Sequence, residues 1–294
     1  MAIAIRTEGL TKDYGESRGL FDLGLEVAAS EIFGYLGPNG AGKTTTIRLL
    51  MGVIHASAGT ATIFGLDCDR ESVAVKREVG YLPGELPQFG GMRGSEVVTY
   101  LGGMRGGVDR ARVTELSEQL ELDLGRRFRE YSRGNKQKLG LVLAFMHRPR
   151  LLILDEPTSG LDPLNQQTFQ RLVTEARTAG GTVFLSSHVL SEVEETCSRV
   201  GIIREGRLVS DMTMDKVHEL RFHEVVIEFS DSVPEAGVRA AAGVEDVSVN
   251  GTRLACTVHG RFDSLLAAIS GHAVTEMVSR EPSLESIFLS YYSK

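Results

Sequence analysis

Apolar and polar positions in the first two thirds of the chain form short apolar runs separated by stretches with helical spacing. Continuous apolar runs at 31–36, 151–154 and 182–187 predict strands that are buried on both faces. Apolar residues that recur every three or four positions predict helices over about 95–124 and 135–147. Shorter strands are predicted at 2–6, 19–27, 59–65 and 79–84. Strands that alternate with helices predict a largely parallel α/β sheet, with ligands at the carboxyl ends of its strands.

The pattern changes after about residue 210. Strands are predicted at 224–230, 244–250, 253–258 and 274–279, and helices at 234–242, 262–270 and 283–292. The middle two strands flank Asn250-Gly251, a dipeptide typical of a tight hairpin turn. These elements predict a small C-terminal α+β domain over 222–294, joined through 215–221 to a larger first domain over 1–215.

A glycine-rich loop over 37–45 lies between the predicted strand at 31–36 and a helical pattern at 46–50. Backbone N–H groups converge on phosphate oxygens only where no Cβ obstructs them, and a following helix adds its own free N–H groups. Lys43 can reach the terminal phosphates, and the Thr44 hydroxyl can ligate Mg²⁺. This spacing predicts binding of a nucleoside triphosphate. The candidate residues are Gly37, Pro38, Asn39, Gly40, Ala41, Gly42, Lys43, Thr44 and Thr45.

Two acidic residues, Asp155 and Glu156, follow the predicted strand at 151–154. Phosphoryl transfer needs a carboxylate that holds the metal ion and a second group that orients or deprotonates the attacking water. Neighbouring residues at a strand end point in different directions, so Asp155 suits the metal and Glu156 the water. The alternative is a solvated acidic turn, which the glycine-rich loop upstream disfavours.

Three further segments carry candidate chemistry but are ambiguous by themselves. Ser132 and Gly134 open a predicted helix, where they form either an anion-binding helix start or an ordinary N-cap. Asp162 lies in a polar turn that has no chemical signature of its own. His188 follows a buried strand, and a single histidine in that position is more often structural than catalytic.

The order and spacing of these segments resemble the nucleotide-binding subunit of ATP-binding cassette (ABC) transporters, over about residues 3–210. In the terms of that family, 37–45 resembles the Walker A loop, 151–156 the Walker B strand with its catalytic glutamate, 131–137 the signature motif, 159–162 the D-loop and His188 the switch histidine. Tyr14 lies where the family stacks an aromatic ring on adenine; the alternative is a surface tyrosine at a strand end. The implied fold is a P-loop ABC ATPase core with a helical signature-motif subdomain over about 85–148.

The resemblance implies an ATPase that uses Mg²⁺ and encloses ATP between two subunits facing head to tail. Lys43 would neutralise developing charge, Thr44 and Asp155 hold Mg²⁺, Glu156 polarise water and His188 steady the γ-phosphate. Ser132 and Gly134 would reach the ATP held by the other subunit, and Asp162 would join the same site. Because the chain has one set of motifs, the resemblance implies either a homodimer or a pair with a related ATPase subunit.

Two positions depart from the family pattern. The family has a glutamine after the strand at 79–84, where it contacts Mg²⁺ and water and senses the membrane partner; here Gly84 stands there, followed by Glu85. Its task falls to Glu85, to Gln88 or to no residue. The signature motif reads Ser-Arg-Gly-Asn instead of the commoner Ser-Gly-Gly-Gln, and resembles variants of the drug- and antibiotic-export branch. The tail at 281–289 also resembles that branch.

Composition limits the alternatives. The net charge is −7 and no long Lys/Arg block occurs, so nucleic acid is not an expected partner. The three cysteines are widely spaced, as expected for reduced thiols of a cytosolic protein. The N-terminal apolar stretch is too short for a signal peptide, and no apolar run approaches the roughly 18–20 residues that span a bilayer.

We therefore expect a cytoplasmic ATPase, peripheral on the inner face of the cell membrane, that energises efflux through an integral membrane permease on a separate chain. In this family the permease docks on the region at about 85–124. The alternatives are an importer ATPase and a cassette ATPase without a transport function that acts on ribosomes or DNA. The C-terminal domain is open to three interpretations, a ligand sensor, a dimer support or a cover for the ATPase domain; no cluster of chemical groups favours sensing.

Overall fold

The computed structural model describes residues 2–16, 18–219 and 222–280. The chain divides into two compact units, Met1–Thr213 and Met214–Lys294. The predicted final helix at 283–292 and the tail at 281–289 lie outside the described residues.

The first unit contains ten strands and seven helices within the described residues. Its strands are β1 Ile3–Asp13, β2 Gly19–Ala28, β3 Ile32–Leu36, β4 Ala58–Ile63, β5 Leu66–Asp67, β6 Val79–Leu82, β7 Leu151–Asp155, β8 Thr182–Ser187, β9 Arg199–Arg204 and β10 Arg207–Thr213. Its helices are α1 Lys43–Leu50, α2 Ser72–Glu78, α3 Gly94–Gly103, α4 Arg110–Gln119, α5 Arg133–Phe145, α6 Pro163–Thr178 and α7 Leu190–Thr196, with a short 3-10 helix at Phe128–Glu130.

A six-stranded sheet in the order β10-β9-β3-β8-β7-β6 forms the centre of this unit. The five strands from β9 to β6 run parallel, and β10 pairs antiparallel at one edge. Every residue of β3, β7 and β8 is buried, which explains the consecutive apolar residues in each of these strands. The predicted parallel α/β sheet is therefore confirmed.

A second, antiparallel sheet in the order β2-β1-β4-β5 shares a hydrophobic core with the central sheet. Ile5 of β1 and Ile47 of α1 belong to this core together with Phe33 and Phe184, whose rings stack with centroids 5.8 Å apart. The prediction that the first strand ends at residue 6 was wrong, since β1 continues to Asp13. A register shift at Gly9, which has φ +57°, interrupts the apolar alternation there without ending the strand.

The predicted helical region at 95–124 consists of two helices, α3 and α4, instead of one. Glycines at 106 and 107 have positive φ and separate them, and the Asp109 carboxylate then accepts the N–H of Arg112 as the N-cap of α4. Buried faces of α3 and α4 contribute Val97, Val98, Val113 and Leu116.

The second unit is a four-stranded antiparallel sheet with two helices on one face. Its elements are α8 Met214–Glu219, β11 Phe222–Phe229, α9 Glu235–Arg239, β12 Val244–Asn250, β13 Arg253–His259, α10 Asp263–Ile269 and β14 Val274–Arg280. The sheet order is β12-β13-β11-β14, and β12 and β13 form the predicted hairpin. The first part of the predicted joining segment at 215–221 is helical, and α8 buries Met214 and Val217 at helical spacing; the domain bounds 1–215 and 222–294 stay predictions.

Within the described ranges, the structure contains no helix that is long and apolar enough to cross a membrane.

A partly buried histidine just after the end of α5 is placed so that the stability of the first unit should depend on pH. His147 Nε2 lies 2.7 Å from Arg105 Nη1, and Arg105 Nη2 donates to the Val79 carbonyl at 2.8 Å. Burial first, and then the charge of Arg105, lower the pKa of His147 to about 4. The ring is therefore neutral in the folded protein at pH values where it is protonated in the unfolded chain.

We predict that the free energy of unfolding falls between about pH 6.5 and pH 4, because the unfolded chain binds the extra proton there. The full shift corresponds to about 3 kcal/mol, and solvent screening of the partly exposed ring reduces that figure. Urea unfolding at pH 7.5 and pH 5 measures it. His147→Gln should remove this component of the pH dependence, whereas His55→Gln, at an exposed site, should not. Equal pH dependence in His147→Gln and the unmodified chain would contradict the prediction.

Candidate active site

The glycine-rich loop connects the end of β3 to the start of α1 and is packed against neighbouring backbone. A Cβ at Gly37 would lie 2.3 Å from the Ile203 carbonyl oxygen, so no side chain fits there. Gly42 caps α1 with φ +112°, a conformation that side chains rarely adopt. No side chain caps the start of α1, so its first N–H groups are left for a ligand, as an anion-binding site requires.

The Lys43 side chain is buried under this loop. Its Nζ donates to the carbonyl oxygens of Gly37 at 2.6 Å and Pro38 at 3.2 Å. Nζ also lies 3.2 Å from Glu156 Oε1 in an ion pair in which the lysine side chain is 6% exposed. A buried cation is thus held by carbonyl groups and by one carboxylate, ready to interact with an anion in the loop.

Two hydroxyl groups hold the Asp155 carboxylate at the end of β7. Thr44 Oγ1 donates to Asp155 Oδ2 at 2.9 Å, and Ser186 Oγ donates to Asp155 Oδ1 at 2.6 Å. The Ser186 oxygen in turn accepts the N–H of Glu156 at 3.1 Å. A hydroxyl and a carboxylate oxygen side by side are the hard ligands that Mg²⁺ prefers, so Thr44 and Asp155 fit that ion.

Glu156 lies between Lys43 and His188. Its Oε2 is 2.8 Å from His188 Nδ1, while Oε1 faces the lysine. The residue has φ +50°, an uncommon left-handed conformation that turns its side chain away from the strand direction of Asp155. The carboxylate is therefore oriented by two neighbours and is placed to accept a proton or to orient water.

Lys43, Thr44 and Glu156 face a cleft of about 540 Å³. It is lined by Tyr14, Arg18, Gly19, Pro38, Asn39, Gly40, Gly42, Lys43, Thr44, Thr45, Glu156, Glu205 and Gly206. The Tyr14 residue is 55% exposed, so its ring is accessible for stacking. The cleft therefore has phosphate-binding groups at the glycine-rich loop and an aromatic ring among its other lining groups.

Comparisons with known proteins agree with this geometry. The family model described as ABC transporter matches residues 20–159. The bacitracin transport ATP-binding protein BcrA of Enterococcus faecalis is 36% identical over 79% of this chain and 76% of its own. The daunorubicin resistance ATP-binding protein DrrA2 of Streptomyces coeruleorubidus is 34% identical over 97% of this chain and 94% of its own. This chain belongs to the ABC transporter ATP-binding family.

A solved ATP-binding subunit of an ABC transporter superposes with a TM-score of 0.69 at 27% identity, over 73% of this chain and 92% of the other. The predicted family, α/β fold class and ATP-hydrolysing activity are therefore confirmed. The two curated relatives also confirm the predicted drug- and antibiotic-related branch. This ABC subunit binds and hydrolyses ATP.

The signature residues and the D-loop aspartate of this ABC subunit are not among the residues that line the cleft. Ser132 is exposed, and its Oγ accepts the N–H of Asn135 as the N-cap of α5. Asp162 caps α6, where the backbone and side-chain N–H groups of Asn165 lower the pKa of its carboxyl. Within the described chain, Ser132, Gly134 and Asp162 make no side-chain contact with Lys43 or with the Glu156 carboxylate, and their nucleotide contacts stay predictions.

Gly84, which stands in place of the family's glutamine, lies directly beside Asp155, the carboxylate that fits Mg²⁺. A Cβ at Gly84 would be 3.2 Å from Asp155 Oδ2. Glu85 and Gln88 are exposed and are not among the residues that line the cleft. Burial, and secondarily the charge of Asp155, raise the pKa of Tyr81 to about 12, so its hydroxyl stays protonated near this carboxylate. Whether Glu85, Gln88 or no residue takes over the task of the family's glutamine is not tested by these contacts, and Gly84 and Glu85 stay the predicted coupling-loop positions.

Several residues of the site were missed by the sequence analysis. Ser186 lies in a buried apolar run, where a hydroxyl has no local signal of function. Glu205 and Gly206 form the turn between β9 and β10; the Gly206 N–H donates to the Ala41 carbonyl, which brings this turn to the glycine-rich loop. The Glu-Gly dipeptide predicts a turn, but it does not indicate that the turn packs against the glycine-rich loop.

We predict that Ser186→Ala raises the Mg²⁺ concentration needed for half-maximal ATPase activity by roughly 10–100-fold, because groups that orient a metal ligand have effects of that size. A Mg²⁺ titration of steady-state hydrolysis measures this. Ser187→Ala is the matched control, since its Oγ donates to Glu192 Oε2 instead. An unchanged Mg²⁺ requirement in Ser186→Ala would show that this hydroxyl does not position Asp155.

Proposed function

We propose that this chain energises efflux of a drug or antibiotic through an integral membrane permease carried on a separate chain. The ATPase part of this proposal rests on one arrangement: Lys43 pairs with Glu156 at the cleft, and Thr44, which lines the same cleft, donates to Asp155. The transport part is supported by the roles for which the relatives are named, bacitracin transport and daunorubicin resistance. The chain would act at the cytoplasmic face of the membrane, bound there through the permease, and nucleic acid is not an expected partner.

Hydrolysis uses groups that are already in place. The Lys43 ammonium binds and neutralises the terminal phosphates, in exchange for its contact with Glu156. Thr44 and Asp155 would hold Mg²⁺, which would supply positive charge to offset the negative charge of the phosphates. Glu156 accepts a proton from the attacking water or orients it, and His188 holds the carboxylate at 2.8 Å.

The proposed active form is a head-to-tail pair of ATPase subunits, either two copies of this chain or one with a related subunit. The cleft leaves one face of a bound triphosphate in water, because the start of α5 does not line it. Ser132 and Gly134 of a second subunit supply a helix N-terminus that closes this face and excludes water. The D-loop with Asp162 lies at the same contact in this proposal.

The permease docks, in this proposal, on the region over about 85–124. Tyr100 of α3 and Met104, the C-cap residue of that helix, are both exposed and lie about one turn apart, so they form an apolar spot at the end of the helix. Such a spot fits the apolar side of a short helix from a membrane subunit. The C-terminal domain over 222–294 is proposed to support the dimer or to cover the ATPase domain over 1–215.

We predict that Glu156→Gln binds ATP and forms dimers but hydrolyses ATP at least ~10²-fold more slowly, because it loses its general base. The dimer trapped with ATP in gently solubilised native membranes should co-purify with a polytopic membrane protein. Single-turnover hydrolysis, size-exclusion chromatography and identification of the captured chain measure the three effects.

Two controls belong to this experiment. Lys43→Ala should weaken ATP binding itself, so it should capture no partner in an ATP-dependent way. Glu175→Gln changes an exposed carboxylate of α6 that is not among the residues that line the cleft, and should leave kcat unchanged. Near-normal turnover of Glu156→Gln would overturn the catalytic assignment. Capture of ribosomes, of DNA or of the ATPase dimer alone would overturn the transport assignment.

A further inference from the structure

The arginine that distinguishes the signature motif of this chain contacts the D-loop of the same chain. Arg133 Nη2 donates to Ser159 Oγ at 2.8 Å. The stem of Arg133 covers Gly160, where a Cβ would lie 3.4 Å from Arg133 Cγ and 3.6 Å from Cδ. Both the charged end and the apolar stem of the arginine are therefore engaged with this loop.

Two other residues at the start of α5 contact the same segment. A Cβ at Gly134 would be 2.7 Å from the Gly160 carbonyl oxygen, so the helix and the loop touch backbone to backbone. The Gln137 side chain donates from Nε2 to the carbonyl oxygens of Glu156 at 3.1 Å and Pro157 at 2.9 Å. Positions 133 and 137 share one helix face, so this face of α5 follows the loop from 156 to 160.

The loop over 156–160 starts at the catalytic glutamate and is tightly folded. Glu156 has φ +50° and Gly160 has φ +78°. The N–H of Ser159 donates to the Glu156 carbonyl at 3.1 Å, so Ser159 is linked to Glu156 through the backbone. A shift of Ser159 would therefore be transmitted through this backbone hydrogen bond to Glu156, which carries the catalytic carboxylate.

We propose that Arg133 is a positioning residue that, through Ser159, couples movement of α5 to the placement of Glu156 in the same chain. This inference rests on the proposed catalytic role of Glu156. The competing interpretation is that Arg133, exposed at the helix start, directly contacts the phosphates of the ATP held by the partner subunit. In the positioning interpretation, the effect of Arg133 on ATP hydrolysis requires Ser159; in the phosphate-contact interpretation, it does not.

A positioning role has a characteristic kinetic effect. Displacement of a catalytic group by a fraction of an ångström lowers the rate of the chemical step, whereas loss of a phosphate contact also weakens ATP binding. Arg133→Ala should therefore lower kcat by roughly tenfold and change the KM for ATP by less than about twofold. Ser159→Ala should have a similar effect, since it removes the other partner of the same hydrogen bond.

The test is a double-mutant cycle on the ATPase activity of the full chain with Arg133→Ala and Ser159→Ala. The double variant should be no slower than the slower single variant, because residues that act through one contact are not additive. Arg133→Lys keeps the charge and should recover part of kcat. Arg129→Ala removes another exposed arginine of the same region and should leave kcat unchanged. Additive effects with a raised KM would overturn the proposal.

A second readout needs no turnover. The chain has no tryptophan, so Leu164→Trp, at a 60% exposed position two residues after Asp162, would be a single fluorescent reporter beside the D-loop. Without nucleotide, Arg133→Ala should lower the fluorescence anisotropy of this reporter, and an unchanged anisotropy would also overturn the proposal. If the catalytic role of Glu156 fails, Glu156→Gln retains turnover. The anisotropy still tests the contact between Arg133 and the D-loop, so the two failures are distinguishable.

Discussion

The burial of the Lys43 ammonium is the constraint on which the rest of the site depends. An ammonium group that is 6% exposed must be compensated, and here two carbonyl oxygens and the Glu156 carboxylate provide that compensation. The ion pair requires Glu156 to turn toward the loop, which its positive φ allows, and His188 holds the other carboxylate oxygen. Removing one member would leave a charge that its neighbours no longer balance.

The parallel sheet brings these groups together although they are distant in sequence. The loop with Lys43 follows β3, Asp155 ends β7, and Ser186 lies near the end of β8. Since β3, β8 and β7 are neighbours and run parallel, their carboxyl ends meet at one edge. The position of the site is thus a consequence of strand order, and the core of Phe33, Phe184 and their neighbours holds that order.

The sequence predicts those features that have a local signal. The strands β3, β7 and β8 were predicted because burial on both faces requires unbroken apolar runs, and the glycine-rich loop because its geometry requires glycine. Features that depend on distant partners were missed. The Ser186 hydroxyl bonds Asp155 across 31 positions of sequence, and no residue near Ser186 indicates that contact. The separation of α3 from α4 and the extension of β1 past Gly9 depend on backbone conformations that apolar spacing does not predict.

In the proposed two-chain site, each chain supplies the Lys43 loop of one ATP site and, at the start of α5, the helix N-terminus of the other. Mixing two inactive variants measures directly whether the Lys43 loop of one chain and the α5 helix start of another chain form one ATP site. Lys43→Ala lacks a working phosphate loop, and Ser132→Asp keeps an N-cap for α5 but brings a negative charge to the phosphate. A mixed dimer contains one intact composite site, so the mixture should hydrolyse ATP although neither variant does alone. No activity in a mixture that forms dimers would contradict the two-chain site.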